Sequence, residues 1–295
     1  MVEPSTGTLR VAVTADLHWT LSPAGDRATR ALLAHLDENL PDVLILAGDT
    51  GVRDALEECL GLFRHLPCAK LFTAGNHDIW AVQEGMDSLE VYSHDLAQAG
   101  AAAGFTYLDD GPWVSADRRL AVVGSVNWYD YTLAPRSILQ KYPNAMEIFR
   151  RKYFIRSRHN DGRFVRLGMT DEEFTGLVVS RVEEHLRAAS ERAETVLLAT
   201  HHPPVPELFK PLSADPTDDE LIWAAYSGNA RMRDIVYAAG KVRYVFCGHT
   251  HVYRRERVGG REMVNVGSDY DRKSLVLLDH PSGRITVQWF EGEPA

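Results

Sequence analysis

The stretch VRYVFCGHTH, residues 242–251, joins an apolar, strand-like run to a glycine and then to two histidines. In an extended segment, the i, i+2 spacing of His249 and His251 directs both side chains to the same side. Neutral imidazole is also the side chain that most commonly binds metal ions. The stretch is therefore either a polar loop or part of a metal site, and the other strand ends decide between these alternatives.

Short apolar runs of this kind recur along the chain, at 9–15, 42–48, 70–75, 120–126 and 195–200. Helical patterns lie between them, at 26–38, 53–65, about 88–102, 170–191 and 230–239. Alternating strands and helices indicate an α/β fold, and near-continuous apolar strands indicate a sheet covered on both faces. Beyond residue 242 three further strand patterns follow one another, at 261–268, 273–280 and 285–292. This β-rich end predicts two packed sheets.

The chain contains no Gly/Ser linker, repeat or low-complexity tract, so we predict one domain over residues 1–295 with a cap-like insertion at about 127–168. The insertion begins with the aromatic segment WYDYT, for which core packing is favoured over stacking on a nucleobase. It continues with basic residues that surround a single acid, Asp161: Arg150, Arg151, Lys152, Arg156, Arg158, Arg163 and Arg166. Such a run is usually a solvated face. The alternative is a surface that receives the remote part of an anionic substrate.

Residues with metal-binding chemistry follow five of the predicted strands: Asp16 and His18, Asp49, Asn76 with His77 and Asp78, His201 with His202, and His249 with His251. Parallel strands bring their carboxyl ends to one edge of a sheet, where α/β folds bind ligands. Each segment alone carries little weight, since Gly-Asp, for example, is also turn chemistry. All five together, each at a strand end, predict a single metal site.

The residue types suggest which ions would bind. Carboxylate and amide oxygens mixed with imidazoles suit divalent Mn, Fe or Zn, whereas thiolates would favour softer metals. Two ions about 3.5–4 Å apart can clamp a phosphoryl group. Such a pair needs a carboxylate between the ions, and Asp49 is the natural bridge. Glycines at 48, 75 and 248 permit tight turns where the backbone approaches a ligand.

The five segments resemble the motif set of the calcineurin-like metallophosphoesterases, which is DxH, GDx, GNH[DE], a single His and GHxH. They stand here as DLH, GDT, GNHD, HHPP and GHTH, and the resemblance covers roughly residues 8–290. It implies a four-layer αββα sandwich of two mixed β-sheets flanked by helices. It also implies a dinuclear metal centre.

The resemblance implies a role for each site residue. One ion would be held by Asp16, His18, Asp49 and His251, and the other by Asp49, Asn76, His201 and His249. His201 is chosen over His202 because the family uses the first histidine of this motif. His77 would be a catalyst that binds no metal, and Asp78 would hold its ring and raise its pKa. Alternatively, Asp78 only caps the next helix.

The resulting functional prediction is metal-dependent hydrolysis of phosphoric esters, either diesters or monoesters and including nucleotide-type substrates. The alternatives are a scaffold that has the fold without the chemistry, or a nuclease. A formal net charge of −9 argues against a protein that binds nucleic acid through a broad basic surface. A pair of bound metal ions would give this acidic protein a local, positively charged binding site for a small phosphorylated substrate.

We expect a cytoplasmic protein that does not associate with membranes. The first residues lack the apolar stretch of a secretory signal, and the chain has no apolar run long enough to span a bilayer. Cys59, Cys68 and Cys247 form no disulfide framework, as is usual in a reducing compartment. Nothing in the sequence defines an oligomeric state.

Overall fold

Strands and helices alternate along most of the chain. The computed structural model describes residues 7–155, 157–209 and 215–292. These ranges contain twelve strands: β1 (Leu9–Thr14), β2 (Val43–Ala47), β3 (Ala69–Thr73), β4 (Phe105–Tyr107), β5 (Trp113–Val114), β6 (Leu120–Ser125), β7 (Thr195–Thr200), β8 (Val242–Cys247), β9 (Arg254–Val258), β10 (Arg261–Asn265), β11 (Arg272–His280) and β12 (Arg284–Glu291).

The same ranges contain ten α-helices: α1 (Pro23–Glu38), α2 (Asp54–Leu62), α3 (Ser88–Glu90), α4 (Leu96–Ala103), α5 (Arg136–Lys141), α6 (Ala145–Arg150), α7 (Asp161–Phe164), α8 (Asp171–Arg192), α9 (Asp218–Ile222) and α10 (Ala230–Ala238). A π-helical segment, Val91–Asp95, joins α3 to α4, and short 3₁₀ turns lie at Pro206–Leu208 and Trp223–Tyr226. None of the helices described is both long enough and apolar enough to cross a membrane.

The strands form two mixed sheets of six strands each, which confirms the predicted fold class. The first has the order β12-β11-β1-β2-β3-β4, and the second β5-β6-β7-β8-β10-β9. Strands β1 to β4 run parallel to one another in the first sheet, and β6, β7, β8 and β10 run parallel to one another in the second. The remaining pairs are antiparallel. Within each sheet, the strands that precede the predicted site residues therefore end at a shared edge.

Alternating strand residues explain the four layers. Val11 and Val13 of β1 face the second sheet, where they join one apolar cluster with Leu197 and Phe246. Ala12, between the two valines, belongs instead to a cluster with residues of α1 and α2. Because side chains of a strand alternate between its faces, a sheet covered on both sides needs apolar residues at successive positions. The continuous apolar runs of the sequence meet this requirement.

Helix α8 covers the outer face of the second sheet, where it contacts β6 and β7. It begins after Thr170, whose side chain accepts a hydrogen bond from the backbone of Glu173 while the Glu173 carboxylate bonds back to Thr170. This reciprocal pair of hydrogen bonds is a capping box. One face of the helix is buried, at Phe174, Val178, Val182 and Leu186, and the last two pack against residues of β6 and β7.

The segment 127–168 contains α5, α6 and α7 and packs around buried aromatic side chains. Trp128, Tyr129 and Tyr131 are almost fully buried, which confirms core packing for this aromatic run. The basic run is largely solvent-exposed, as predicted, at Arg150, Arg151, Arg158, Arg163 and Arg166. Lys152 is partly buried and pairs with Asp171 at 2.5 Å, and Arg156 lies outside the described residues.

Candidate metal centre

The loops that follow five parallel strands meet at one site. After β1, β2, β3, β7 and β8 they supply, in chain order, Asp16, His18, Asp49, Asn76, His77, His201, His249 and His251. Backbone hydrogen bonds tie the loops together: Asp16 N donates to Gly48 O at 3.0 Å, and Gly248 N donates to His201 O at 3.0 Å. All of these side chains are buried except His77 and His251, which are partly exposed. The structure thus brings together residues from both ends of the chain.

Asp49 lies at the centre of this cluster. Its Oδ2 is 3.4 Å from His201 Nε2, 3.6 Å from His18 Nε2 and 3.9 Å from His77 Nε2. Its Oδ1 accepts a hydrogen bond from His77 N at 2.9 Å. One carboxylate therefore faces imidazoles from three different loops, which is the position that a bridging ligand requires.

On one side of Asp49 lie Asp16, His18 and His251. His251 Nε2 is 3.6 Å from Asp16 Oδ1 and 3.3 Å from His18 Nε2. One potential ligand atom from each of these three residues lies within 4.8 Å of the other two. This group contains the residues that the family resemblance assigns to one ion.

On the other side lie Asn76, His201 and His249. His201 Nε2 is 3.1 Å from Asn76 Oδ1, and the rings of His201 and His249 have centroids 5.2 Å apart. The buried Nε2 of His249 has no hydrogen-bond partner among the described residues. A buried polar atom without a partner is unfavourable, and a metal ion would satisfy it. The donor set of carboxylate, amide and imidazole thus fits a pair of borderline divalent ions.

The backbone at the site is held in an unusual conformation. Five of the predicted ligands have positive φ angles: Asp16 (55°), His18 (45°), Asp49 (52°), His249 (71°) and His251 (56°). Residues other than glycine rarely adopt this region, and such strain concentrates at functional sites. The surrounding sheets hold these loops in place, so that the side chains turn toward one point.

Two glycines allow the loops to approach each other closely. A Cβ atom on Gly75 would overlap with Oδ1 and the backbone nitrogen of Asp49, and one on Gly248 would lie 2.5 Å from Asp16 Oδ2. Any side chain at these positions would displace a predicted ligand. The glycines at strand ends therefore provide space for the carboxylates.

The electrostatics of the cluster favour a bound cation. Burial alone would raise the pKa of Asp49, but His201, His77 and His18 hold it well below its ordinary value. Burial likewise opposes protonation of His201, but Asp49 raises the pKa of this imidazole to about 9. The negative potential that retains a proton at this position would also attract a metal ion.

The surroundings of His77 and Asp78 differ from the prediction. The two carboxylate oxygens of Asp78 accept hydrogen bonds from Gly51 N at 3.0 Å and Gly75 N at 2.7 Å, rather than from the His77 ring. The His77 ring stacks on Trp80, with centroids 3.7 Å apart. Burial lowers the pKa of His77, and the carboxylates that oppose this shift are Asp49 and Asp161, so the structure gives no support for a rise caused by Asp78.

Asp78 does not cap the next helix either. Helix α3 begins at Ser88, and Asp87 is its N-cap, accepting hydrogen bonds from Leu89 N and Glu90 N. Asp78 is instead buried beneath the cluster, where it holds the loop that carries Asn76 and His77 against the loop after β2. Its contribution to the site is therefore to connect loops.

The two neighbouring histidines, His201 and His202, face different groups. His201 faces Asp49 and Asn76, whereas His202 Nδ1 lies 2.8 Å from the carbonyl oxygen of Val126. The His202 ring packs against the His249 ring, with centroids 4.1 Å apart. Of the two, His201 is the one whose ring nitrogen lies 3.4 Å from the Asp49 carboxylate.

A cleft of about 330 Å³ lies over the cluster. Its floor includes Asp49, Asn76 and His77, and its walls include aromatic and polar side chains on several loops: Trp80, Phe154, Arg158, His159, Asn160, Trp223 and Tyr270. Four of these, residues 154 and 158–160, come from the 127–168 segment. The cleft has the size and lining of a small-molecule site.

This combination of two mixed sheets with an Asp, Asn and His cluster at their strand ends defines a class of α/β metalloenzyme. The sequence model of the calcineurin-like phosphoesterases matches residues 9–253, so the chain belongs to this family. It is a metallophosphoesterase, which hydrolyses phosphoric esters, and the family resemblance seen in the sequence is confirmed. The family depends on a dinuclear metal centre and acts on small phosphorylated substrates.

Solved structures show the same fold at low sequence identity. The phosphopantetheinyl hydrolase of Mycobacterium tuberculosis is 18% identical with a TM-score of 0.70, and the match covers 90% of each chain. A dimetal phosphatase from Danio rerio is 13% identical with a TM-score of 0.56, and the match covers 97% of this chain and 99% of that one. At these identities the likeness concerns the fold alone. A comparison with curated proteins gives no significant match.

The sequence patterns did not assign a site role to three residues near the site. Asp161 is fully buried and accepts a hydrogen bond from Asn76. Trp223 is exposed in the cleft. Lys273 Nζ donates hydrogen bonds to the carbonyl oxygens of Asp16 and Asp269 at 2.8 and 2.6 Å. None of them belongs to a motif at a strand end. For Asp161 the sequence holds a weak signal, since it is the single acid within a basic run.

Proposed function

We propose that this protein hydrolyses small phosphoric esters in the cleft over Asp49, using two divalent transition-metal ions. The observation that carries the proposal is the convergence of carboxylates, an amide and imidazoles from five loops around the Asp49 carboxylate. Mixed oxygen and nitrogen donors without thiolates favour Mn, Fe or Zn.

In this proposal Asp16, His18 and His251 hold one ion, and Asn76, His201 and His249 hold the other. Asp49 contacts both. When bound, the ions would polarise the phosphoryl group and activate the attacking water. Ligands on rigid strand ends keep this arrangement fixed before the substrate arrives, which favours the transition state.

The position of His77 supports a role for its side chain on the substrate itself. Its side chain is 14% exposed and lines the cleft, and stacking on Trp80 fixes the plane of its ring. We propose that it contacts the phosphoryl group, where it stabilises developing charge or protonates the leaving oxygen. Asp78 supports this loop through its bonds to Gly51 and Gly75.

The segment 127–168 acts, in this proposal, as a cap within a single domain. It places Phe154, Arg158 and Asn160 along the wall of the cleft. A wall of aromatic and polar side chains with one guanidinium suits a substrate whose remote part is partly apolar and carries an anionic or polar group. A cytoplasmic location stays a prediction, and the three cysteines are free thiols.

The test is hydrolysis of aryl phosphomonoesters and phosphodiesters by protein supplied with Mn²⁺, with and without chelator. We expect turnover that chelation abolishes and that Asp49→Ala reduces to background. His94→Ala, which changes an exposed histidine outside the cluster, is the matched control and retains activity. Absence of hydrolysis with Mn²⁺, Fe²⁺ or Zn²⁺ would contradict the proposal and favour an inactive scaffold, and cleavage of nucleic acid alone would favour a nuclease.

A further inference from the structure

A buried carboxylate from the 127–168 segment reaches the metal cluster. Asp161 is the first residue of α7 and is fully buried. Its Oδ1 accepts a hydrogen bond from Asn76 Nδ2 at 2.9 Å. Buried carboxylates need compensating partners, and this one finds them in polar side chains on the floor of the site.

The bond to Asp161 determines which end of the Asn76 amide faces the cluster. An amide has one acceptor oxygen and one donor nitrogen, whereas an ionised carboxylate only accepts hydrogen bonds. With Nδ2 bound to Asp161, the Asn76 oxygen points to His201 Nε2, 3.1 Å away. The reverse orientation would place the amide oxygen against the carboxylate, which is repulsive. Only the observed orientation offers an oxygen to a cation.

The same carboxylate also fixes the ring that supports His77. Trp80 Nε1 donates a hydrogen bond to Asp161 Oδ1 at 2.9 Å, and the Trp80 ring stacks on His77. On its other oxygen, Oδ2, Asp161 accepts a hydrogen bond from Tyr129 OH at 2.9 Å. His159 Nδ1 lies 3.4 Å from that oxygen. Asp161 thus connects a predicted ligand, a predicted catalytic residue and the core of the inserted segment.

We propose that Asp161 is a positioning residue that holds Asn76 with its oxygen toward the metal site and, through Trp80, holds the His77 ring over the cleft. The inference rests on the proposed function and deepens it, because it assigns to the inserted segment a part in building the metal centre. Residues that orient metal ligands typically change metal affinity about 10- to 100-fold when replaced.

The test is binding of Mn²⁺ to metal-free protein, measured by calorimetry and by counting free Mn²⁺ with electron paramagnetic resonance. We expect Asp161→Ala to weaken one of two Mn²⁺ sites about 10- to 100-fold and to leave the other unchanged. Asp161→Asn should weaken that site less, because its amide oxygen can still accept a hydrogen bond from Asn76. A cooperative thermal unfolding transition shows that a variant is folded. Asp161→Asn provides the milder change if Asp161→Ala does not fold.

A matched control separates positioning from a structural role. Asp171 is also a buried carboxylate beside this segment, bonded to Trp128 Nε1, to Tyr131 OH and to Lys152 Nζ, and it is not among the residues that line the cleft. We expect Asp171→Asn to lower thermal stability and to keep both Mn²⁺ affinities. A second control, Tyr129→Phe, removes one bond to Asp161 and spares its bonds to Asn76 and Trp80.

An exchange of the two side chains tests the contact itself. Asn76→Asp combined with Asp161→Asn restores a donor opposite an acceptor, with an oxygen again facing the metal site. We expect the double variant to lose less free energy of Mn²⁺ binding than the sum of the losses in the two single variants. Purely additive losses would contradict the proposal.

Three results distinguish the possible failures. If folded Asp161→Ala binds two Mn²⁺ ions as tightly as the unmodified protein, Asp161 has no positioning role. If Asp171→Asn weakens Mn²⁺ binding equally, the effect is only structural and the inference is again overturned. If the unmodified protein binds no Mn²⁺, Fe²⁺ or Zn²⁺, the proposed function fails first, and this inference fails with it.

Discussion

At the scale of single residues, Asp49 is the central side chain of the site. Its carboxylate lies within 4 Å of three imidazole nitrogens, and its own backbone has a positive φ of 52°. A buried carboxylate in such a position needs positive charge nearby. Protonated imidazole can supply it in the metal-free protein, and a pair of cations would supply it in the working enzyme.

Replacing His77 separates chemistry from metal binding. We expect His77→Ala to lower kcat about 100-fold or more, because the group that contacts the phosphoryl oxygens is lost. Both metal ions should remain bound, since no ion is assigned to His77. Steady-state kinetics combined with elemental analysis of the same sample checks this outcome. Loss of an ion from the variant would show that His77 is a ligand instead.

Gly75 tests the close approach of two loops. In Gly75→Ala the new methyl group would overlap with Asp49, so we expect metal content and activity to fall together. Forced overpacking of this kind typically costs about 1–3 kcal/mol of stability. Gly111→Ala is the matched control, because a Cβ atom there has no neighbour within 4 Å. A Gly75→Ala variant with full metal content would refute the steric explanation.

The sequence predicts the site residues at strand ends well, and it fails for those that reach the site by tertiary packing. His249 and Asp16 are recognisable because they follow buried strands, His249 directly after a glycine and Asp16 two positions before a histidine. Asp161 is 85 positions from Asn76, and its local sequence, RHNDGR, is typical of a solvated basic loop. The stacking of His77 on Trp80 is equally hidden, because it depends on how one loop turns.

At the scale of elements, the parallel strands explain why the cluster forms where it does. Their carboxyl ends are aligned by register, for example Val13 with Ile45 and Ile45 with Leu71, and the loops that follow start level with one another. The strands that the sequence patterns missed, β4, β5 and β9, lie at the edges of the two sheets. Within the described ranges, strand β9, RRERV, pairs only with β10, and it is rich in charge, as exposed edge strands often are.

The aromatic wall of the cleft makes a prediction about substrates. Trp223 is 43% exposed, which is unusual for so large an apolar side chain, and it lines the cleft. We expect Trp223→Ala to raise KM for aryl phosphoesters about 5-fold or more, as loss of one buried aromatic contact of about 1 kcal/mol implies, and to leave kcat nearly unchanged.

Two controls accompany this measurement. A methyl ester should show no change in KM, because its leaving group is too small to reach the wall. Tyr237→Ala changes another exposed aromatic residue that does not line the cleft, and we expect its KM values to equal those of the unmodified protein. Equal changes in KM for aryl and methyl esters would argue that Trp223 only supports the fold.

At the scale of the whole molecule, net charge and metal binding are linked. The protein has a formal charge of −9, and its site buries Asp16 and Asp49 within one cluster. Such a protein would repel an anionic ester over most of its surface. Two bound cations would reverse the potential locally and leave the rest of the surface acidic, which favours small substrates over extended polyanions.

Metal binding should also stabilise the fold. Free Mn²⁺ at about 100 times its Kd stabilises a folded protein by about 2.7 kcal/mol for one site. We therefore expect Tm to rise by several degrees with Mn²⁺ and to fall again with chelator. Asp49→Ala should remove most of this shift, and His94→Ala should keep it. An unchanged Tm in saturating Mn²⁺ would be inconsistent with ions held between five loops.

The most direct test is anomalous X-ray diffraction from crystals grown with Mn²⁺. We predict two anomalous peaks on opposite sides of the Asp49 carboxylate, one beside Asp16, His18 and His251 and the other beside Asn76, His201 and His249. A single peak, or peaks away from Asp49, would contradict a dinuclear centre built from these strand ends.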